Sequence, residues 1–203
     1  HISMAMTAVL TALEFSKTLH KLNPDIVLIR GDRFEQLASA MVAAYLNKTV
    51  AHIEGGDVSG TIDESVRHAI TKLAHLHFVT NEDARRRVIQ MGENPEMVFN
   101  FGSLDIEFVS KVPKRTDSDF INRVGTGALL DFEKPYLMVI QHPVTTENKN
   151  RDHIEETLAA ISELGTQAIW FWPNSDAGTA EMAKAIRVFR EKNGREVAIH
   201  FVT

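Results

Sequence analysis

Short apolar runs that alternate with helix-like segments constrain the fold of this chain more than any other feature of its sequence. The runs at residues 26–29 and 49–53 are rich in Val and Ile, and each follows a segment with helical spacing of apolar residues. Short β-branched runs of this kind are typical of buried strands in a parallel sheet. Because two parallel strands need a crossover connection between them, the alternation predicts an α/β fold.

The alternation continues along the chain in two series separated by a loose segment. The first series predicts strands at residues 25–30, 49–53, 77–80 and 97–101, with helices at 34–47, 63–75 and 82–91. The pattern loosens between residues 103 and 134 and tightens again at Tyr136, where a second series begins. This series predicts strands at residues 136–141, 167–172 and 196–202, with helices at 153–164 and 179–192. We therefore expect an N-terminal Rossmann-like domain at residues 1–112 and a partial C-terminal, nucleotide-binding one at 113–203.

Both ends of this pattern look incomplete. A doubly wound domain usually begins with a strand and a phosphate-facing turn, whereas this chain opens in an amphipathic helix that ends at Asn23-Pro24. The second series stops at Thr203 without a closing helix. We therefore expect the fold to be truncated at both ends, with the first strand of the N-terminal domain outside this chain.

Composition narrows the classes of function. The formal net charge of -5, with no long Lys/Arg cluster, argues against a nucleic-acid surface, and Arg85-Arg86-Arg87 is interpreted as a solvated helix face. No apolar stretch is long enough to span a membrane, and the first residues do not resemble a signal peptide. The chain has no cysteine, which excludes disulfides and thiolate nucleophiles and makes the cytoplasm the expected compartment.

Three acidic residues closely follow the predicted strands. Asp32 stands in Gly31-Asp32-Arg33, Glu54 stands in His52-Ile53-Glu54-Gly55-Gly56, and Asp63 comes soon after. Ligands of open α/β sheets bind just beyond the carboxyl ends of the strands, so this edge is the predicted active site. Asp32 and Asp63 can alternatively cap the helices that follow them. The two glycines after Glu54 favour a pocket, because they let the backbone approach a ligand closely.

Further polar residues follow the strands of the second series or lie near the acids. His142, after the strand at 136–141, can hold a phosphate or transfer a proton. Arg67, one helical turn after Asp63, can bind an anion or pair with Asp63. Asn174 lies in the loop at residues 173–178, which either contacts a nucleotide or simply enters a helix capped by Ser175 or Asp176.

The sequence predicts no metal or redox cofactor. His68, His75 and His77 lack zinc-ligand spacing and are interpreted as packing and hydrogen-bonding residues. Neither a GxxxxGK[ST] phosphate loop nor a GxGxxG dinucleotide fingerprint is present in the sequence.

Several motifs of this sequence together resemble those of the hydrolysing UDP-N-acetylglucosamine 2-epimerase family, particularly its sialic-acid branch, which forms N-acetylmannosamine (ManNAc). The resemblance is carried by five strings: Gly31-Asp32-Arg33, His52-Ile53-Glu54-Gly55-Gly56, residues 59–75, Gln141-His142-Pro143, and residues 173–178. The long segment at residues 59–75 is the most specific of them. The resemblance implies a GT-B-like architecture, in which two Rossmann-type domains face each other across a cleft.

The chemistry that the resemblance implies uses water and UDP-GlcNAc and yields UDP and ManNAc. A proton leaves C2 as UDP leaves C1, and water then adds to the resulting glycal with inversion at C2. The resemblance implies a catalytic set and a substrate-binding set: Asp32, Glu54, Asp63 and His142 in the first, and Arg33, Arg67 and Asn174 in the second. Three carboxylates match three proton-transfer tasks, and neither a metal nor NAD is required.

Other functions stay open from the sequence. The closest is hydrolysing 2-epimerisation of UDP-N,N'-diacetylbacillosamine, a step toward legionaminic acid. A GT-B glycosyltransferase would use a similar site to pass the sugar to an acceptor, and a non-catalytic sensor would bind a UDP-sugar without consuming it. By analogy with the family we also expect a homo-oligomer, either a dimer or a tetramer.

Overall fold

The structure, a computed structural model, describes residues 2–113, 118–145, 147–194 and 196–202. It divides into two compact units, unit 1 (His1–Val112) and unit 2 (Pro113–Thr203). Among the described residues, no helix combines the length and apolar character needed to cross a membrane.

Unit 1 contains a four-stranded parallel sheet in the order β1-β2-β3-β4. Its elements are α1 (Ile2–Leu22), β1 (Ile26–Arg30), α2 (Phe34–Tyr45), β2 (Thr49–Ile53), α3 (Ile62–Leu73), β3 (Leu76–Val79), α4 (Glu82–Gln90), a short 3-10 turn (Pro95–Met97), β4 (Val98–Asn100) and α5 (Leu104–Lys111). The strands run in chain order across the sheet, so each successive crossover helix moves the chain one place along it.

The core of unit 1 lies between the sheet and helices α1 to α3. Val27, Ile29 and Val50 point from the strands into a cluster that includes Leu19 of α1 and Ile70 of α3. Ala40 and Ala43 of α2 are fully buried in the same cluster. A second, smaller cluster packs α4 against β3 and β4. This packing fixes the strands in parallel register and brings their carboxyl ends to one edge.

Unit 2 contains a second four-stranded sheet, in the order β5-β8-β7-β6. Its elements are α6 (Ser118–Val124), β5 (Gly125–Gly127), β6 (Leu137–Ile140), α7 (Asn150–Leu164), β7 (Ala168–Phe171), α8 (Thr179–Asn193) and β8 (Ile199–Val202). The core is built around Trp170, which is fully buried with Ile154 and Leu158 of α7 and Ile186 of α8.

The expected α/β fold with parallel sheets is confirmed for β1 to β4 and for β6 to β8. The loose segment at residues 103–134 differs from the expectation, because it contains α5, α6 and the antiparallel edge strand β5. Ser103 caps α5, but Ile106 and Phe108 on that helix are exposed, so no amphipathic pattern marked it. Strand β5 forms through its pairing with β8, and its Gly-Thr-Gly sequence is not typical of a strand because glycine is rare in strands.

Candidate active site

A cavity of about 510 Å³ lies at the carboxyl edge of the sheet in unit 1. Its wall comes from the residues that follow all four strands, from Arg67 of α3 and from the start of α5: Gly31, Asp32, Glu54, Asp57, Arg67, Thr80, Asn81, Ser103, Asp105 and Ile106. The parallel order of the sheet explains this convergence, since every strand ends at the same edge. Asp32, Glu54 and Arg67 of the predicted site therefore meet at one cavity.

The backbone leaves the sheet through two left-handed residues. Gly31 has φ 79° and donates its N–H to the Ile53 carbonyl at 3.0 Å. Glu54 has φ 67°, although it is not glycine, and donates its N–H to the Phe78 carbonyl at 2.9 Å. The hydrogen bonds of the sheet thus continue one residue past β1 and one residue past β2 while the chain turns. This turn directs the side chains that follow into the cavity wall.

The buried side chain of His52 anchors these strand ends. Its imidazole is fully buried, and burial lowers its pKa to about 4, so the ring is neutral at physiological pH. Nε2 lies 2.9 Å from the Gly31 carbonyl oxygen, which can only accept, so Nε2 carries the proton. Nδ1 is then an acceptor 3.1 Å from the Thr71 hydroxyl, whose single proton can go either to Nδ1 or to the Arg67 carbonyl oxygen at 3.0 Å.

The two glycines after Glu54 are required by packing. A Cβ on Gly55 would lie 2.9 Å from His52 Nδ1, and a Cβ on Gly56 would lie 2.6 Å from the Ala84 carbonyl oxygen. The guanidinium of Arg87 also donates to the Gly56 carbonyl, so this arginine is not simply part of a solvated face, as the sequence suggested. The loop that carries Glu54 is therefore held from several sides.

Asp32 pairs with Arg67. Arg67 extends from α3 with only 9% of its surface exposed, donates from Nη1 to the Asp57 carbonyl at 2.6 Å, and forms an ion pair through Nη2 with Asp32. Helix α2 begins after Arg33, and the Asp32 carboxylate turns to Arg67 instead of capping that helix. The predicted anion-binding cation is thus held at the cavity by an acid of the predicted catalytic set.

Three charged residues of this edge were not predicted from the sequence. Arg30 donates from Nε and Nη2 to the two carboxylate oxygens of Glu54 at 3.0 and 2.8 Å, and from Nη2 to Asp105 at 2.6 Å. Asp57 accepts from Thr80 at 3.1 Å and from Asn81 at 3.2 Å. Arg30 directly precedes the Gly31-Asp32-Arg33 motif and Asp57 directly follows Gly56, so their positions in the sequence are a signal for this edge.

Asp63 and Arg33 have a different place in the structure. Asp63 lies in the first turn of α3 and accepts from the Thr61 hydroxyl at 3.3 Å, whereas Glu64 receives the Ser59 and Gly60 N–H groups. Arg33 donates from Nε to Glu35 at 2.6 Å. Neither Asp63 nor Arg33 is among the described residues that line the cavity, so their roles stay predictions.

In unit 2, His142 and Asn174 are in direct contact. The Asn174 N–H donates to His142 Nδ1 at 3.1 Å, which in the neutral ring leaves the proton on Nε2. The Asn174 side-chain amide donates to Asp176 at 2.5 Å, and the Asn174 backbone carbonyl accepts from the Thr179 hydroxyl at 2.5 Å. Helix α8 has Gly178 at its N-cap, not Ser175 or Asp176 as the capping alternative proposed.

Of the other histidines singled out in the sequence, His75 and His77 have close partners within the fold, whereas His68 Nε2 lies 4.0 Å from Glu64. His75 Nδ1 accepts from the Val50 N–H at 3.1 Å, and the buried His77 lies 3.3 Å from Glu93. Within the described ranges no cluster of His, Asp or Glu could hold a metal ion.

Comparison with known proteins gives matches over almost the whole chain. Residues 1–202 match the family model described as UDP-N-acetylglucosamine 2-epimerase. The UDP-N,N'-diacetylbacillosamine 2-epimerase (hydrolyzing) of Legionella pneumophila is 38% identical over 179 residues, which cover 88% of this chain and 46% of the relative. The UDP-N-acetylglucosamine 2-epimerase of Neisseria meningitidis is 36% identical over 172 residues, covering 84% of this chain and 44% of that protein.

Solved structures agree on the fold. The structure of UDP-GlcNAc 2-epimerase from Neisseria meningitidis bound to UDP-GlcNAc superposes with a TM-score of 0.77 at 17% identity, covering 98% of this chain and 54% of the other. The structure of the enzyme from Rickettsia bellii gives a TM-score of 0.73 at 22% identity, with coverage of 98% and 51%. These likenesses confirm the GT-B-like fold with Rossmann-type units.

The chain spans about half the length of the curated relatives it matches. With a family model that matches 202 of its 203 residues and a fold shared with solved members, it belongs to the UDP-N-acetylglucosamine 2-epimerase family.

Proposed function

We propose that the protein is a hydrolysing 2-epimerase that converts UDP-GlcNAc and water to UDP and ManNAc, for the synthesis of sialic-acid-type sugars in the cytoplasm. The observation that carries the proposal is the cavity lined by Asp32, Glu54 and Arg67, in which Asp32 pairs with Arg67 and Glu54 pairs with Arg30. The reaction removes a proton from carbon and expels a diphosphate, so it needs both carboxylates and cations at one site.

The residues divide between these tasks. A carboxylate of the cavity takes the proton from C2 while UDP leaves C1, and a second carboxylate activates the water that adds to the glycal. Arg67 offsets the negative charge that grows on the departing β-phosphate, an interaction that is stronger in the transition state than in the ground state. Asp63 is the third acid of the proposed set.

Unit 2 supplies groups suited to the nucleotide. The Nε2–H of His142 can donate to a diphosphate oxygen or deliver a proton, since Nδ1 already accepts from Asn174. We propose Asn174 of unit 2 and Arg33 of unit 1 as further substrate contacts. No metal or redox cofactor enters the proposed reaction.

A second candidate substrate is UDP-N,N'-diacetylbacillosamine. The relatives from Legionella pneumophila and Campylobacter jejuni, at 38% and 30% identity, carry that sugar in their names together with the word hydrolyzing. The two sugars differ at C4 and C6, so the ratio of their kcat/KM values measures this choice directly.

The test incubates the full-length protein in D2O with each UDP-sugar and follows UDP and the free sugar by NMR. We expect UDP and free ManNAc with deuterium at C2, because the proton removed from C2 exchanges with solvent before water adds. Faster turnover of the bacillosamine substrate would replace the first sugar by the second.

Four results would contradict the proposal. A product that retains UDP would show epimerisation without hydrolysis, and a free sugar without deuterium at C2 would exclude elimination. UDP release that requires an added acceptor would indicate a glycosyltransferase. Binding of both sugars with no turnover would indicate a sensor.

A further inference from the structure

Arg30 holds the Glu54 carboxylate in a two-point contact. Arg30 is the last residue of β1 and lies opposite Ile53 in the register with β2, so Glu54 follows immediately beside it. Its Nε is 3.0 Å from Oε2 and its Nη2 is 2.8 Å from Oε1. A planar guanidinium that contacts both oxygens fixes the plane of the carboxylate as well as its position.

A third contact fixes the guanidinium itself. Nη2 of Arg30 also donates to Asp105 at 2.6 Å, and Asp105 lies in the first turn of α5. Arg30 thus joins the end of β2 to the helix that forms another part of the cavity wall. These hydrogen bonds, first that with Glu54 and then that with Asp105, raise the pKa of Arg30 above its ordinary value, so it stays charged.

The effect of this pair on overall stability is expected to be small. The side chains of Arg30 and Asp105 are 46% and 73% exposed, and exposed ion pairs contribute little to folding. Glu54 is more enclosed, at 22%, and its backbone is already fixed in the left-handed region. What the contact adds is therefore a defined direction for the Glu54 carboxylate.

Other charges face this pair from the surrounding elements. Asp32, after β1, is paired with Arg67 of α3, and Asp57, after β2, is bonded to Thr80 and Asn81. Asp32 and Asp57 therefore have partners other than Arg30, and Arg30 is the guanidinium that contacts the Glu54 carboxylate.

We propose that Arg30 is a positioning residue for Glu54, and that Asp105 restrains Arg30 in that role. This inference rests on the proposed epimerase function and assigns a task to two residues that the sequence motifs do not include. Arg30 orients the carboxylate toward the substrate and does not itself contact the reacting atoms.

Graded losses of turnover follow from this arrangement. R30Q removes both the positive charge and the fork, that is, the two-point contact of the guanidinium with the Glu54 carboxylate. We expect kcat to fall about 10- to 100-fold with KM changed less, since small misplacements of a catalytic group cause losses of this order. R30K keeps the charge without the fork and should recover part of the loss. D105N leaves the contact with Glu54 and should lower kcat only about 2- to 5-fold.

The decisive experiment is a double-mutant cycle in the full-length protein. If Arg30 acts through Glu54, kcat of the R30Q/E54Q double variant equals that of E54Q alone. The matched control is R86Q, which breaks an arginine–carboxylate pair with Asp83 on the exposed face of α4 and should leave kcat unchanged. A wild-type kcat in R30Q, or losses that multiply in the double variant, would overturn the inference.

An NMR measurement separates this inference from the proposed function. The Nε–H resonance of Arg30 should be shifted by its hydrogen bond and should move in E54Q, whether or not the protein turns over a UDP-sugar. A wild-type protein without turnover would refute the function, whereas an Nε–H resonance unaffected by E54Q would refute the positioning contact alone.

Discussion

The two sheet edges of this protein carry different chemistry. In unit 1 the residues after the strands are charged and paired, Glu54 with Arg30 and Asp32 with Arg67. In unit 2 the corresponding residues are not paired charges: His142 accepts from the Asn174 N–H, and the Asn174 side-chain amide donates to Asp176. Paired charges suit a site where protons and negative charge move, whereas amide and imidazole N–H groups suit the binding of a nucleotide. The proposed function thus assigns two different tasks to the same architecture, according to the residues that end its strands.

The largest expected effect separates turnover from binding. E54Q or D32N should lower kcat by about 100-fold or more, because a neutral amide cannot accept a proton. N174A should instead raise KM with a smaller change in kcat, as expected for a contact made equally in ground and transition states. Steady-state kinetics of UDP release measures both, and circular dichroism confirms that each variant is folded. Wild-type kcat in the acid variants would end the distinction between the two edges.

A second difference concerns the groups that anchor the loops. His52 anchors the edge of unit 1, whereas the buried Asn150 anchors the loop after β6 in unit 2 through hydrogen bonds with the Val144 N–H and carbonyl at 2.8 and 3.1 Å. The pKa of His52 falls from its ordinary value of 6.5 to about 4 on folding, so between these values the unfolded chain binds more protons. The neutral His52 ring therefore contributes fully to the free energy of unfolding above pH 6.5. As the pH falls toward 4, the free energy of unfolding decreases by about 3 kcal/mol.

NMR titration of the His52 ring and denaturant unfolding from pH 7 to 4 test this prediction. Burial lowers the pKa of His77 as well, so the informative quantity is the difference between wild type and H52Q, whose unfolding free energy should fall less over this range. The Asn150 anchor has no titratable group and should contribute equally throughout. A His52 ring that titrates near its ordinary value would contradict the prediction.

The smallest expected effect tests how rigidly the loop of unit 1 is packed. In G56A the new Cβ would lie 2.6 Å from the Ala84 carbonyl oxygen, whereas in G60A it would meet nothing within 4 Å, and both glycines have positive φ. The unfolding free energy should therefore drop by about 2 kcal/mol more in G56A than in G60A. In unit 2, G178A would meet the Asn150 side-chain amide, which can yield more than backbone, so its loss should be intermediate. Equal losses in all three variants would show that packing does not fix the loop.

The sequence predicted the strands well because their signal is local. Strand β2 has the predicted bounds and β1 differs by one residue, since buried β-branched runs with helices between them leave few alternatives. Helix α5 and strand β5 were not predicted, because one is stabilised without an amphipathic face and the other only through its neighbour β8.

The same limit applies to the site. Asp32, Glu54 and Arg67 could be selected because each follows a strand or lies on a helix of a recognisable motif. The link from Arg30 to Asp105 joins residues 75 positions apart and depends on where α5 packs, which no local pattern encodes. Pairing of Asp32 with Arg67 likewise depends on the placement of α3 beside the strand ends.

The left-handed backbone at Glu54 has an evolutionary consequence. A residue with a Cβ at φ 67° loses about 1 kcal/mol relative to glycine, so replacement of Glu54 by Gly relaxes the main chain. The same replacement deletes the acid that the proposed reaction uses. Selection for stability therefore favours glycine at this position, whereas selection for the proposed catalysis favours glutamate. In a lineage that no longer requires the enzyme activity, we expect glycine to replace Glu54.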